Sequence, residues 1–133
     1  MYKKLIEEAV KAREMAYAPY SNYMVGAALL ATSGKIYHGC NVENAAYTPT
    51  NCAERTAFFK AISEGVRSFE AIAIVGGKAG AELSPSITPC GICRQVMVEF
   101  CPKNFKIICG TPDDYTVHTL EQLMPLSFSA DEL

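Results

Sequence analysis

The sequence predicts an α/β domain, a three-layer α-β-α sandwich, and three observations carry that expectation. Segments with apolar residues at helical spacing alternate with short apolar runs of strand length. Turn residues separate them, and no linker divides the 133 residues. One domain over 1–133 is therefore expected, because this length can bury a single core.

The first element is an amphipathic helix over about Tyr2–Ala16, with Leu5, Ile6, Ala9 and Val10 on one face. Ala18-Pro19-Tyr20-Ser21 breaks it, since the residue before a proline is pushed out of helical geometry. Val25–Ala31 and Ile36–Val42 flank the turn Ser33-Gly34 and read as an antiparallel hairpin. From Cys52 the period changes: Ala53, Ala57, Phe58, Ala61 and Ile62 mark a second helix that ends at Gly65. Phe69–Val75 reads as a buried strand, and a polar loop containing Gly76, Gly77 and Gly80 runs to Pro89. A third helix spans Cys90 to about Phe100, a buried strand follows over Phe105–Cys109, and Pro112-Asp113-Asp114 forms a turn. The capping-box pair Thr119 and Gln122 starts a short last helix that Pro125 closes, and the tail beyond Phe128 reads as loose. This βαβ order predicts a mostly parallel sheet after the opening hairpin.

Half the residues are apolar, a fifth are charged, and the net charge is −2. No Lys or Arg run forms a stripe for a polyanion, which argues against a nucleic-acid partner. Met1–Met15 mixes charges into its apolar pattern, so it reads neither as an export signal nor as a membrane span. The expected compartment is the cytoplasm. In that reducing setting six cysteines point to metal binding or thiol chemistry rather than to disulfides.

Two predicted helices begin with cysteine, as Asn51-Cys52-Ala53-Glu54-Arg55 and as Thr88-Pro89-Cys90-Gly91-Ile92-Cys93-Arg94. Helix N-termini carry unpaired N–H groups and partial positive charge, which favours thiolates. Cys90 and Cys93 can aim at one centre, and Cys52 can supply a third sulfur. That soft donor set suits zinc. Three protein ligands leave a coordination position open, the arrangement of a catalytic site, whereas a structural site closes with four. Cys101 lies eight residues beyond Cys93, roughly 12 Å along a helix, too far to share the ion. Cys40 and Cys109 fall on strands and read as small buried hydrophobes, while His38 and His118 stand alone. Glu54, two residues past a ligand, either complements the helix dipole or faces the open position as a general base. Asn41 and Glu43, two apart on an extended segment, share one face and are able to grip hydroxyls.

Cys-Ala-Glu followed by Pro-Cys-x-x-Cys resembles the cytidine deaminase family, specifically its small three-cysteine, homotetrameric type. The likeness extends to Ala18-Pro19-Tyr20-Ser21, to Gly39-Cys40-Asn41-Val42-Glu43-Asn44-Ala45-Ala46-Tyr47 and to Cys90-Gly91-Ile92-Cys93-Arg94-Gln95. It implies a five-stranded mixed sheet and one zinc per subunit on Cys52, Cys90 and Cys93. It further implies hydrolytic deamination of cytidine and deoxycytidine in pyrimidine salvage, with Glu54 moving protons between water, N3 and the leaving amine. Arg55 is implied to draw charge from the ligand sulfurs, and Asn41 and Glu43 to hold the sugar 3′ hydroxyl. The Ala53 N–H is implied to meet the base carbonyl and the Thr88 carbonyl the amine. Tyr23 stands where family members have phenylalanine against the substrate. Phe128 matches an aromatic that enters a neighbouring subunit's site, and Tyr47 a residue near that junction, so shared active sites are implied. Two other readings share these residues: deamination of another small cytosine compound, such as a nucleoside antibiotic or a deoxynucleotide, and a non-catalytic zinc module with a fourth ligand elsewhere.

Overall fold

A computed structural model describes residues 1–133. Its elements run α1 (Tyr2–Arg13), β1 (Tyr23–Ala31), β2 (Ile36–Cys40), α2 (Ala53–Ser63), β3 (Phe69–Lys78), α3 (Gly91–Phe100), β4 (Lys106–Thr111), β5 (Asp114–Thr119) and α4 (Leu120–Leu123). A single 3-10 turn follows at Ala130–Glu132. No helix is long and apolar enough to cross a membrane.

The five strands form one mixed sheet in the order β2-β1-β3-β4-β5. Strand alternation sorts the apolar residues onto two faces. Ala27, Leu29, Ile72, Ile74, Ile107 and Cys109 face one way and pack with Ala57, Phe58 and Ala61 of α2 and Met97 of α3. Ala28, Leu30, Ala71, Ala73, Val75 and Ile108 face the other way and meet Leu5, Ile6 and Ala9 of α1. The expected three layers follow, with α1 alone on one side.

The sheet is not mostly parallel, however. Only β3 and β4 form a parallel pair, while β1 pairs antiparallel with both β2 and β3. β1 sits between β2 and β3, so the β2-α2-β3 crossover passes over it and its two strands never touch. β5 is the second departure: Pro112-Asp113 makes a tight hairpin in which Thr111 pairs with Asp114, and the segment read as turn continues as an antiparallel edge strand. Its mainly exposed side chains left no alternating apolar signal.

Element ends shift for local reasons. α1 stops at Arg13, three residues early, as Glu14, Met15 and Ala16 form tighter turn bonds back to Lys11, Ala12 and Arg13. Gly65 ends its helix region with φ +94°, as its position predicted. The Thr119–Gln122 capping box is present in both directions, at 2.8 and 3.2 Å. Two glycines set the helix-to-sheet distance. A Cβ on Gly26 would meet the Ala9 carbonyl oxygen at 2.1 Å, and one on Gly39 the Ala53 carbonyl oxygen at 2.2 Å. α1 and α2 therefore rest their backbones directly on β1 and β2.

Candidate metal centre and substrate cleft

Cys52 and Cys90 are the N-cap residues of α2 and α3, both with extended backbone, and Cys93 lies one turn into α3. The three sulfurs lie within 4.8 Å of one another. Cys52 Sγ is 3.7 Å from Cys90 Sγ, and Cys90 Sγ is 3.5 Å from Cys93 Sγ. A tetrahedral zinc with bonds of about 2.3 Å would set its sulfurs about 3.8 Å apart, so the spacing fits the ion. Cys101, Cys40 and Cys109 lie outside this cluster, and burial raises the pKa of all three.

Without a metal, the clustered thiols share their protons unevenly. The Cys52 thiol is drawn down to about 5, chiefly by hydrogen bonding from Cys93, with Arg55 and Cys90 adding to it. Cys93 is pushed up in turn, because it is the donor in that pair. Arg55 Nη2 donates to Cys52 Sγ at 3.3 Å. Its Nε is buried without a partner, an orphan donor beside the sulfurs. Glu54, 4% exposed, occupies the first turn of α2. Burial pushes its carboxyl up to about 7, with the Cys52 charge adding to the rise.

A cleft of about 530 Å³ opens onto these groups and is lined by Tyr23, Asn41, Glu43, Cys52, Ala53, Glu54 and Thr88 among others. Most residues singled out from the sequence thus meet in one space. A larger cleft of about 630 Å³ lies between α3, α4 and the C-terminal segment, away from this chemistry. Asn41 does not hang free in the cleft: its Oδ1 accepts from Val25 N at 2.9 Å and its Nδ2 donates to Tyr23 O at 2.8 Å. Glu43 is also held. Its Oε1 accepts from the Tyr20 and Ser21 amides at 3.0 Å each, and its Oε2 accepts from the Ser21 hydroxyl. Those bonds, led by the Ser21 hydroxyl, keep its carboxyl below the usual range.

Other expectations fall outside that space. Tyr47, with φ +62°, stacks edge-on with Tyr20 at 6.3 Å between centroids and lines a neighbouring hollow with Glu43. Phe128 is 61% exposed and takes no part in lining the cleft; Gln95 Nε2 donates to its carbonyl at 2.9 Å. His38 is not isolated, as its Nε2 lies 2.8 Å from Glu8 Oε1. Sequence reasoning missed Ser21 as a partner of Glu43, although the motif containing it had been noticed. It also missed Asn51, whose Nδ2 donates to Thr56 Oγ1 at 3.0 Å while that hydroxyl donates to the Cys52 carbonyl at 3.1 Å.

A mixed α/β/α sheet brings three convergent thiols and a buried carboxyl together at two helix N-termini, a group able to hold one metal ion on three sulfurs, the ligand count of metal-dependent enzymes. The family model described as the cytidine and deoxycytidylate deaminase zinc-binding region matches residues 1–109, and the chain belongs to that family. It is similar to a cytidine deaminase of Sporosarcina psychrophila, 53% identical over 98% of this chain and 93% of the relative. A cytidine deaminase of Halalkalibacterium halodurans is 49% identical over 97% and 95%. The crystal structure of cytidine deaminase from Burkholderia pseudomallei superposes with a TM-score of 0.88 at 48% identity, covering 96% of this chain and 99% of that one.

Proposed function

We propose that this chain catalyses the hydrolytic deamination of cytidine and deoxycytidine, consuming water and releasing ammonia with uridine or deoxyuridine. One observation carries the reading: the buried Glu54 carboxyl lines one cleft with Cys52 and Cys90, and these two sulfurs and the buried Cys93 sulfur behind them are spaced for zinc. Zinc on Cys52, Cys90 and Cys93 would activate water for attack on C4 of the base. Glu54, whose burial raises its affinity for a proton, can accept the water proton and pass protons to N3 and the leaving amine. Arg55, at 3.3 Å from Cys52 Sγ, withdraws charge that three thiolates would otherwise concentrate on the metal.

The rest of the cleft orients the nucleoside. The Ala53 N–H, in the first turn of α2, lacks an intrahelical acceptor and is assigned to the base carbonyl, with the Thr88 carbonyl facing the amine. Tyr23 and Ile87 give the base an apolar wall. Asn41 and Glu43 take the sugar hydroxyls. No Lys or Arg lines the cleft, which supports a nucleoside over a phosphorylated substrate.

The whole of 1–133 acts as one catalytic domain in this reading, within the cytoplasm, a compartment that suits six free thiols. We also assign a homotetramer with shared sites. Exposed Tyr17, Tyr20, Val42 and Tyr47 beside the cleft, and the outward Phe128, support it. Purified protein incubated with cytidine should lose the ultraviolet absorbance of the cytosine chromophore, and a strong zinc chelator should stop that loss. Unchanged absorbance would overturn the proposal.

A further inference from the structure

Ala18-Pro19-Tyr20-Ser21 lies beyond the end of α1 at Arg13, so helix termination does not account for where its last residue points. The Ser21 hydroxyl donates to Glu43 Oε2, while the Ser21 and Tyr20 amides both donate to Glu43 Oε1 at 3.0 Å. The same hydroxyl oxygen accepts from the Tyr23 amide at 3.0 Å, which fixes its rotamer and turns its proton toward the carboxylate. Tyr17 clamps the segment from behind: its amide donates to Asn41 O and its carbonyl accepts from Glu43 N, both at 2.9 Å. An exposed glutamate on a loop would ordinarily sample several rotamers. Here three donors from one turn hold it, and they leave one lone-pair position on Oε2 uncommitted.

We propose that Ser21 is a positioning residue for substrate binding: it fixes the Glu43 carboxylate so that the uncommitted position of Oε2 receives a sugar hydroxyl. This rests on the proposed nucleoside activity and adds to it the residue that orients the sugar contact. Ser21 touches neither the base nor the metal ligands in this account, so its influence is confined to the sugar. An ionised carboxylate accepts and does not donate. The matching ligand group is therefore a hydroxyl acting as donor, and a sugar without it gains nothing from the clasp.

The test compares wild type, Ser21→Ala and Ser21→Thr on cytidine and on 3′-deoxycytidine, with zinc content measured on each preparation. Ser21→Ala should raise KM for cytidine about tenfold, the worth of one charge-assisted hydrogen bond. Its kcat and zinc content should stay within about twofold. The KM for 3′-deoxycytidine should hardly move, and Ser21→Thr should restore the cytidine value. Equal KM increases on both substrates, a loss confined to kcat, or an unchanged cytidine KM would each overturn the assignment. If wild-type protein leaves cytidine untouched, the activity itself fails, and the clasp is then decided by carbon-13 NMR titration of Glu43. Ser21→Ala should move that titration up toward the ordinary glutamate range, and an unmoved titration would refute the clasp.

Discussion

Gly39→Ala adds one methyl group to β2, thirteen residues before the first metal ligand, and should nonetheless weaken metal binding. The new Cβ would lie 2.2 Å from the Ala53 carbonyl oxygen and 2.5 Å from the Ala57 nitrogen, both backbone atoms of α2 that cannot rotate aside. Since Cβ contacts under 3.0 Å essentially never occur, the first turn of α2 must retreat by roughly 0.8 Å. Cys52 caps that turn, and zinc bonds tolerate displacements of only about 0.2 Å. Overpacking strain costs about 1–3 kcal/mol. If about 2 kcal/mol of it falls on the metal site, zinc affinity drops about 30-fold. Competition with a chromophoric chelator measures this, alongside cytidine turnover and thermal unfolding. Gly91→Ala is the control: it lies between two ligands, yet a Cβ there meets nothing within 4 Å. Wild-type zinc affinity in Gly39→Ala, or an equal loss in Gly91→Ala, would refute the reasoning.

Glu54→Gln should keep zinc and lose nearly all turnover, and equal turnover would remove the proton-transfer role. In metal-free protein the Glu54 carboxyl sits at about 7 against an ordinary 4.5, so ionising it opposes folding. That penalty is absent below 4.5, builds as pH rises and is complete above 7, at roughly 3 kcal/mol. Urea unfolding should show the Gln variant gaining on wild type between about pH 5 and pH 8.5, whereas a gap independent of pH would count against the burial argument. Cys90→Ser should abolish zinc retention on gel filtration while Cys101→Ser leaves it intact, because only the first belongs to the sulfur cluster; loss in both would point to a fourth ligand. Glu43→Ala should cost far more activity on cytidine than on a sugar-free cytosine compound, and equal losses would contradict its sugar contact.

The metal centre was legible because its signal is local. Cysteines spaced Cys-x-x-Cys at a helix start, with a third cysteine opening another helix, converge once both helices lie on one sheet face. Pairing partners were less legible. Nothing in the apolar runs of β1 and β3 states that β1 lies between β2 and β3, since a buried strand reads alike in parallel and antiparallel company. β5 escaped because an edge strand with exposed side chains lacks the alternating pattern. Gly39 looked like one more small residue, and its purpose is visible only against the α2 backbone. Asn41 and Glu43 both line the cleft, yet their spacing alone does not reveal that each side chain is anchored on β1 or the turn before it.

Val42 and Asn51 exchange two backbone hydrogen bonds, each 2.9 Å, immediately ahead of Cys52. They tie off the neck of the eight-residue excursion Glu43–Thr50, whose crest carries the outward Tyr47. The two ends of the excursion are thereby held side by side where the chain enters α2. Whatever abuts the crest therefore meets a loop whose base is shared with the cleft, through Glu43 and Thr50.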